Sequence, residues 1–185
     1  MKKIILDLCG GTAAWSKPYK DVGYDVRLVT LPETDVLTYK PPKNVYGILA
    51  APPCTMFSLA RNRAKTPRDF EEGLLTVRAC LDIIWMCRVK GNLKWWALEN
   101  PVGYLRQFLG KPAFTFQAWW FGDKIKKPTD LWGYFNEPKK KRNATRPDYS
   151  RKGKNSWAYQ NPTPGAKERS ITPAGFAQAF FKANK

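Results

Sequence analysis

KKIILDLCGGTAAW, residues 2–15, decides the fold. An apolar run from Ile4 to Leu8 carries a single acid, Asp7, and breaks into Gly10-Gly11. A run this short, closed by glycines, reads as a buried strand feeding a tight turn. Working outward, a short helix is expected over 16–22, where Pro18 suits only a first turn. YDVRLVTL (24–31) alternates as a second strand, ETDVLTY (33–39) follows within a few residues, and VYGILAAPP (45–53) is the next strand. From Pro67, apolar residues at Leu74, Val77, Leu81, Ile84 and Trp85 have helical spacing, with Asp69, Glu71 and Glu72 in a first turn where the helix dipole favours acids. LKWWALENP (93–101) is a further strand, followed by a short helix over 102–109. AFTFQAWWFGD (113–123) and TDLWGYF (129–135) read as two late strands joined by the basic KIKKP (124–128), and TPAGFAQAFFKA (172–183) restores a helical face through Phe176, Ala179 and Phe180. The alternation predicts one α/β domain over 1–185, with a mostly parallel sheet and helices on both faces. There is no internal repeat.

The 185 residues carry 32 Lys and Arg against 15 Asp and Glu, a formal charge of +17 with no histidine. A surplus of that size favours a polyanion, since every phosphate neutralised releases counterions. Much of it lies at 137–168, where KKKR and RKGK among prolines and asparagines predict a basic loop or partly disordered insertion. Without histidine, proton chemistry falls to carboxylates, lysine, tyrosine, thiols or water. The four cysteines form no CxxC pair, which argues against a metal site. No apolar run is of membrane-spanning length and no leader precedes a cleavage site, so a cytoplasmic location with reduced thiols is expected.

In an open parallel sheet, ligands sit beyond the carboxyl ends of the strands. Four such turns are unusual. The first is Asp7-Leu8-Cys9-Gly10-Gly11-Thr12, where glycines let backbone approach a ligand. The second holds Glu33 and Asp35, acids suited to ribose hydroxyls or an amine. The third is GILAAPPCTMFSLAR (47–61): two prolines stiffen the approach and fix Cys54 at the strand end. A thiolate there is a strong nucleophile if cations or amides lower its pKa, and Arg61, Arg63 and Lys65 follow closely. Cys80 and Cys87, in their helix, read as small buried hydrophobes. The fourth, ALENP, ends a strand on Glu99 and Asn100; burial of Glu99 calls for a partner, while Asn100 and Pro101 also fit a helix start.

These turns, in this order, resemble the DNA cytosine-5 methyltransferase family, particularly the short versions carried by bacteriophages. DLCGGTAAW is similar to its cofactor loop, APPCTMFS to its Pro-Cys motif and LENP to its Glu-Asn motif. FGDKIKKPTDLWGYF resembles the later block that usually carries Gln-x-Arg-x-Arg, and SITPAGFAQAFF the closing motif, whose helix packs beside the cofactor loop. The resemblance spans residues 4–183. It implies a Rossmann-like S-adenosylmethionine-dependent domain that methylates cytosine C5 in DNA after a cysteine adds to C6. Cys54, Glu99, Asn100, Lys127 and Thr129 would form the catalytic set. Asp7, Cys9, Gly10, Gly11, Thr12, Trp15, Glu33, Asp35, Pro52, Ser170 and Thr172 would hold S-adenosylmethionine. Phe57, Ser58 and the loop from Arg61 through Arg63 to Lys65 would close over an extruded base, and Lys139, Lys140, Lys141 and Arg142 would track phosphates.

The sequence departs from the family at Ala13-Ala14, where glycines are usual, at Thr55 in place of glutamine, and at Lys127 and Thr129 in place of arginines. Residues 136–168 are too few for a target recognition domain. Low or very short sequence specificity is therefore expected, or a partner of unknown identity that supplies it. The alternative expectation is a catalytically weak or inactive DNA-binding protein on the same fold. A different pyrimidine, a free nucleotide or RNA is the third substrate expectation.

Overall fold

The computed structural model describes residues 2–124, 127–147, 168 and 170–185, with backbone alone at Asn62, Arg63 and Lys90. The expected basic insertion is thus described to residue 147, and its remainder lies outside the described residues. The elements are β1 (Ile4–Leu8), α1 (Lys17–Asp21), β2 (Asp25–Val29), β3 (Val45–Ala50), α2 (Phe70–Lys90), β4 (Trp95–Pro101), α3 (Leu105–Leu109), β5 (Phe114–Gln117), β6 (Pro128–Tyr134) and α4 (Ala174–Ala183). Short 3-10 turns occupy Leu59–Arg63 and Ala118–Phe121.

The strands form one sheet in the order β2-β1-β3-β4-β6-β5. β1 pairs in parallel with β2 and β3, and β3 with β4. β6 runs antiparallel to both β4 and β5, so it alone opposes the others. The result is an α/β fold on a mixed sheet, compatible with a Rossmann-like architecture. From β1 the chain steps outward to β2 and then returns to the other side of β1 as β3. The strand order therefore reverses between β1 and β3, the position at which open α/β sheets take their ligands.

Period-two alternation assigns the sheet's two faces. Leu6, Leu8, Ile48, Ala50 and Leu98 pack on one face with Val77, Cys80, Ile83, Ile84 and Cys87 of α2. Ile5, Leu49, Trp95 and Ala97 pack on the other with Trp15, Tyr19, Phe116, Phe176 and Phe180. Each Val, Leu, Ile or Phe among them, fully buried, contributes about 1.5–3 kcal/mol, so the two covered faces carry most of the stability.

Several local expectations shift. Asp69 is the cap of α2, accepting the Glu72 amide at 2.9 Å, instead of lying within the first turn. Trp85 is 65% exposed; one position beyond buried Ile84 it is rotated about 100° from the inward stripe, which runs through Val77, Cys80, Ile84 and Cys87. ETDVLTY forms turns, with the Asp35 carboxylate accepting the Leu37 amide at 2.9 Å. Asn100 and Pro101 remain in β4 and start no helix. α3 begins at Leu105 because Gly103 is taken up by an extended bridge to Ser58.

Candidate functional site at the carboxyl edge of the sheet

The turn after β1 is held to the sheet by the Cys9 amide, which donates to the Val29 carbonyl at 2.7 Å. Cys9, Gly11 and Ala13 all have left-handed backbone, with φ of 56°, 53° and 57°. Only Gly11 adopts this without cost, and strain at a cysteine and an alanine is the kind that persists at ligand-binding turns. Gly10 is a glycine for a different reason: a Cβ there would overlap the Asp7 carboxylate. Asp7 is fully buried. The Ser16 hydroxyl donates to its Oδ2 at 2.5 Å, while its Oδ1 has no hydrogen-bond partner among the described residues.

Burial pushes the Asp7 carboxyl up to about 6, against the Ser16 hydrogen bond that favours the charged form. The folded chain thus binds this proton more tightly than the unfolded chain, whose value is near 3.8. The associated stabilisation is fully present below 3.8 and is lost as pH rises through about 6. Relative to the native chain, Asp7→Asn should therefore gain roughly 3 kcal/mol in going from pH 3.5 to pH 7. Urea midpoints of the two proteins across that range measure it, and a constant difference would contradict it.

The other expected cofactor residues divide between ligand side and core. Gly11 and Thr12 are exposed, as is Glu33, and Asp35 is half-buried in the turn after β2, beside β1. A hydrogen bond from the Cys80 thiol pulls the Cys9 thiol down, outweighing burial and the charges of Asp7 and Asp35, which push it up. Cys80 itself is pushed up by that bond and by burial. Trp15 is a core residue, 2% exposed, against Phe176 and Phe180 at 5.7 and 5.4 Å between ring centroids. It ties the β1 turn to α4. Ser170 is exposed and Thr172 half-buried just ahead of α4.

Beyond β3 the ladder continues for one bond, from the Ala51 amide to the Leu8 carbonyl at 2.9 Å. Pro52 is then buried and Cys54 half-buried. The Cys54 carbonyl accepts the Phe57 and Ser58 amides at 3.0 and 2.8 Å, which closes the Cys54 turn on itself. That turn is also tied to the end of β4. Asn100 Nδ2 donates to the Pro52 carbonyl at 3.1 Å, and the Tyr104 amide donates to the Phe57 carbonyl at 2.9 Å. Gly103 allows this approach, because a Cβ would strike the Phe57 carbonyl. The Pro-Cys and Glu-Asn segments, far apart in sequence, are one physical unit.

At the end of β4, Glu99 Oε1 lies 3.6 Å from Lys127 Nζ, and each side chain is 13% exposed. The reversed direction of β6 makes this meeting possible, since its first residues register against the last of β4, Thr129 opposite Pro101. Thr129 is buried and donates to the Lys127 carbonyl at 3.2 Å, so it orients the turn that carries Lys127.

Three expected base-side or DNA-side residues are engaged within the protein. Phe57 has no exposed surface and packs on Phe70 and Phe108, so it cannot close over a base. Arg61 Nη2 donates to Thr66 Oγ1 at 2.7 Å and to the Pro67 carbonyl at 2.9 Å, folding its own loop. Ser58 Oγ accepts the Ala60 amide at 3.2 Å. Lys65, Lys139 and Arg142 are exposed; the Arg63 side chain lies outside the described residues. The Lys141 amide donates to the Trp120 carbonyl at 2.9 Å, and Lys140 Nζ stands 3.3 Å from the Trp120 ring centroid. The basic run is therefore anchored beside the turn at the carboxyl end of β5.

No protein-family model matches the chain, and no curated protein matches it. The arrangement must speak for itself.

Two side chains missed in the sequence shape it. Asp130, opposite Asn100 and fully buried, accepts from Arg106 at 2.6 and 2.7 Å and from Thr115 at 2.6 Å. Its signal was an acid inside an apolar strand. Arg68 donates to two carbonyls of the Cys54 turn; as one basic residue in a basic loop it gave no signal. Among the described residues there is no cluster of His, Cys, Asp or Glu suited to a metal, and no helix long and apolar enough to cross a membrane.

Proposed function

We propose that this chain is a minimal DNA cytosine-5 methyltransferase that uses S-adenosylmethionine and has low or very short sequence specificity. The observation that carries the reading is the junction of a cysteine turn with a paired carboxylate, through the Asn100-Pro52 and Tyr104-Phe57 hydrogen bonds, at the carboxyl ends of the neighbouring strands β3 and β4. The β1 turn fits the cofactor in kind. It combines left-handed backbone, exposed Gly11 and Thr12 and a buried Asp7 oxygen without a hydrogen-bond partner among the described residues, with Glu33 and Asp35 on the adjoining strand end for ribose hydroxyls. When bound, S-adenosylmethionine supplies an electrophilic methyl group.

The chain's own residues perform the rest. Cys54, as thiolate, adds to cytosine C6, which makes C5 electron-rich. Glu99 holds the ring through N3 and the exocyclic amine and stabilises the charge that builds there, and Lys127 steadies Glu99. A lysine is a point charge without the planar donor fork of arginine, so base positioning here depends more heavily on the backbone. Lys139, Lys140, Lys141 and Arg142 neutralise phosphates without reading sequence.

DNA from cells expressing the protein, digested to nucleosides and analysed by mass spectrometry, is expected to contain 5-methylcytosine above the vector control. Its absence, with DNA retained on the purified protein, would favour the non-catalytic DNA-binding reading. The internal use of Arg61 and Thr129 is the observation on that side.

A further inference from the structure

Arg68 lies immediately before the cap of α2, so its backbone is fixed to the start of a 21-residue helix. From there the guanidinium reaches back to the nucleophile turn. Nη1 donates to the Met56 carbonyl at 2.7 Å and Nη2 to the Ser58 carbonyl at 2.9 Å. The Phe57 carbonyl between them is taken by the Tyr104 amide, and the Tyr104 ring lies under the guanidinium, 4.7 Å from its central carbon to the ring centroid. Three consecutive carbonyls after Cys54-Thr55 are thus held from outside the turn, two of them by one side chain. The turn's own amides at 57 and 58 hold the Cys54 carbonyl.

We infer that Arg68 is a positioning residue for Cys54: its two-pronged grip on the Met56 and Ser58 carbonyls sets the direction in which the thiol is presented. Resting on the nucleophile reading of Cys54, this adds a residue that neither composition nor motif singled out. The role belongs to the fork and not to the charge. Lysine keeps the charge but has one ammonium centre, which cannot span two carbonyls two residues apart with planar geometry and cannot stack on Tyr104 in the same way.

The test compares Arg68→Lys and Arg68→Met with the native chain, after circular dichroism has shown each variant to be folded. Hydrogen exchange at the Phe57 and Ser58 amides is expected to accelerate about tenfold or more in both variants, as the turn opens locally. Methyl transfer is expected to fall by about 10²-fold in kcat in both, with KM for DNA nearly unchanged, the scale of a misplaced reacting group. The pH dependence of Cys54 alkylation by iodoacetamide, followed at its own peptide, should keep its midpoint in Arg68→Lys. Native exchange rates in both variants, or native kcat in Arg68→Lys, would overturn the inference. Exchange and alkylation need neither cofactor nor DNA. A native chain that transfers no methyl group would therefore refute the enzyme reading, while unchanged amide protection would refute the clamp.

Discussion

Cys54→Ala is expected to abolish methyl transfer and, with it, the covalent trapping of an oligonucleotide containing 5-fluorocytosine. In the proposed reaction the thiolate adds to C6, C5 takes the methyl group, and loss of the C5 proton then expels the thiolate. Fluorine at C5 leaves no proton to lose, so the adduct persists and survives denaturing electrophoresis. Removing a covalent nucleophile costs on the order of 10⁶-fold in other enzymes, which places the variant below detection. The substitution removes one atom from a half-buried side chain. The backbone bonds that shape the turn use carbonyls and amides and survive it, so the variant should fold and retain DNA. Activity in Cys54→Ala would end the mechanism, whereas loss of trapping together with loss of DNA retention would point to a folding defect.

The second large effect is on stability. Phe176→Ala is expected to destabilise the chain by about 4 kcal/mol, within the range for deleting a buried aromatic ring. Phe176 stacks on Phe116 at 4.1 Å between centroids, meets Phe121 edge-on at 5.4 Å and touches both Trp15 and Phe180. It has no exposed surface, and rings locked on several sides cannot collapse into the void. For a chain of this size the loss lowers the thermal midpoint by roughly 8–16 °C, measurable by calorimetry. Since Trp15 hangs from the β1 turn into the same cluster, the proposed binding of S-adenosylmethionine at that turn should weaken in the fraction that remains folded. A midpoint within a few degrees of the native one would show that this cluster does not hold the second face.

The strands were legible because each turn-bounded apolar run is short, and the β1 glycines and the prolines before Cys54 mark where strands stop. Reversal of β6 was not legible: TDLWGYF has the same pattern in either direction, and only pairing with β4 fixes its sense. Proximity of Cys54 and Glu99 to one edge followed from both lying at strand ends. The bonds that join them, from Asn100 and Tyr104, depend on register and on backbone carbonyls that no side-chain pattern announces. Arg61, bonded to its own loop, and Phe57, buried in the core, show the converse, since residues of the right chemistry for a phosphate or a base are used in holding the fold.

One face of the sheet is covered from both ends of the chain. Trp15 and Tyr19 come from the first strand connection, Phe176 and Phe180 from α4, and the Tyr19 hydroxyl donates to the Asn184 carbonyl across 165 positions. During synthesis the apolar surface laid down by β1, β3 and β4 is covered only in part, by Trp15, Tyr19 and Phe116, until α4 emerges. Loop closure over that distance must precede the packing of α4, so completion of this face is expected to come late. The interval before it is when the nascent chain is most exposed to aggregation.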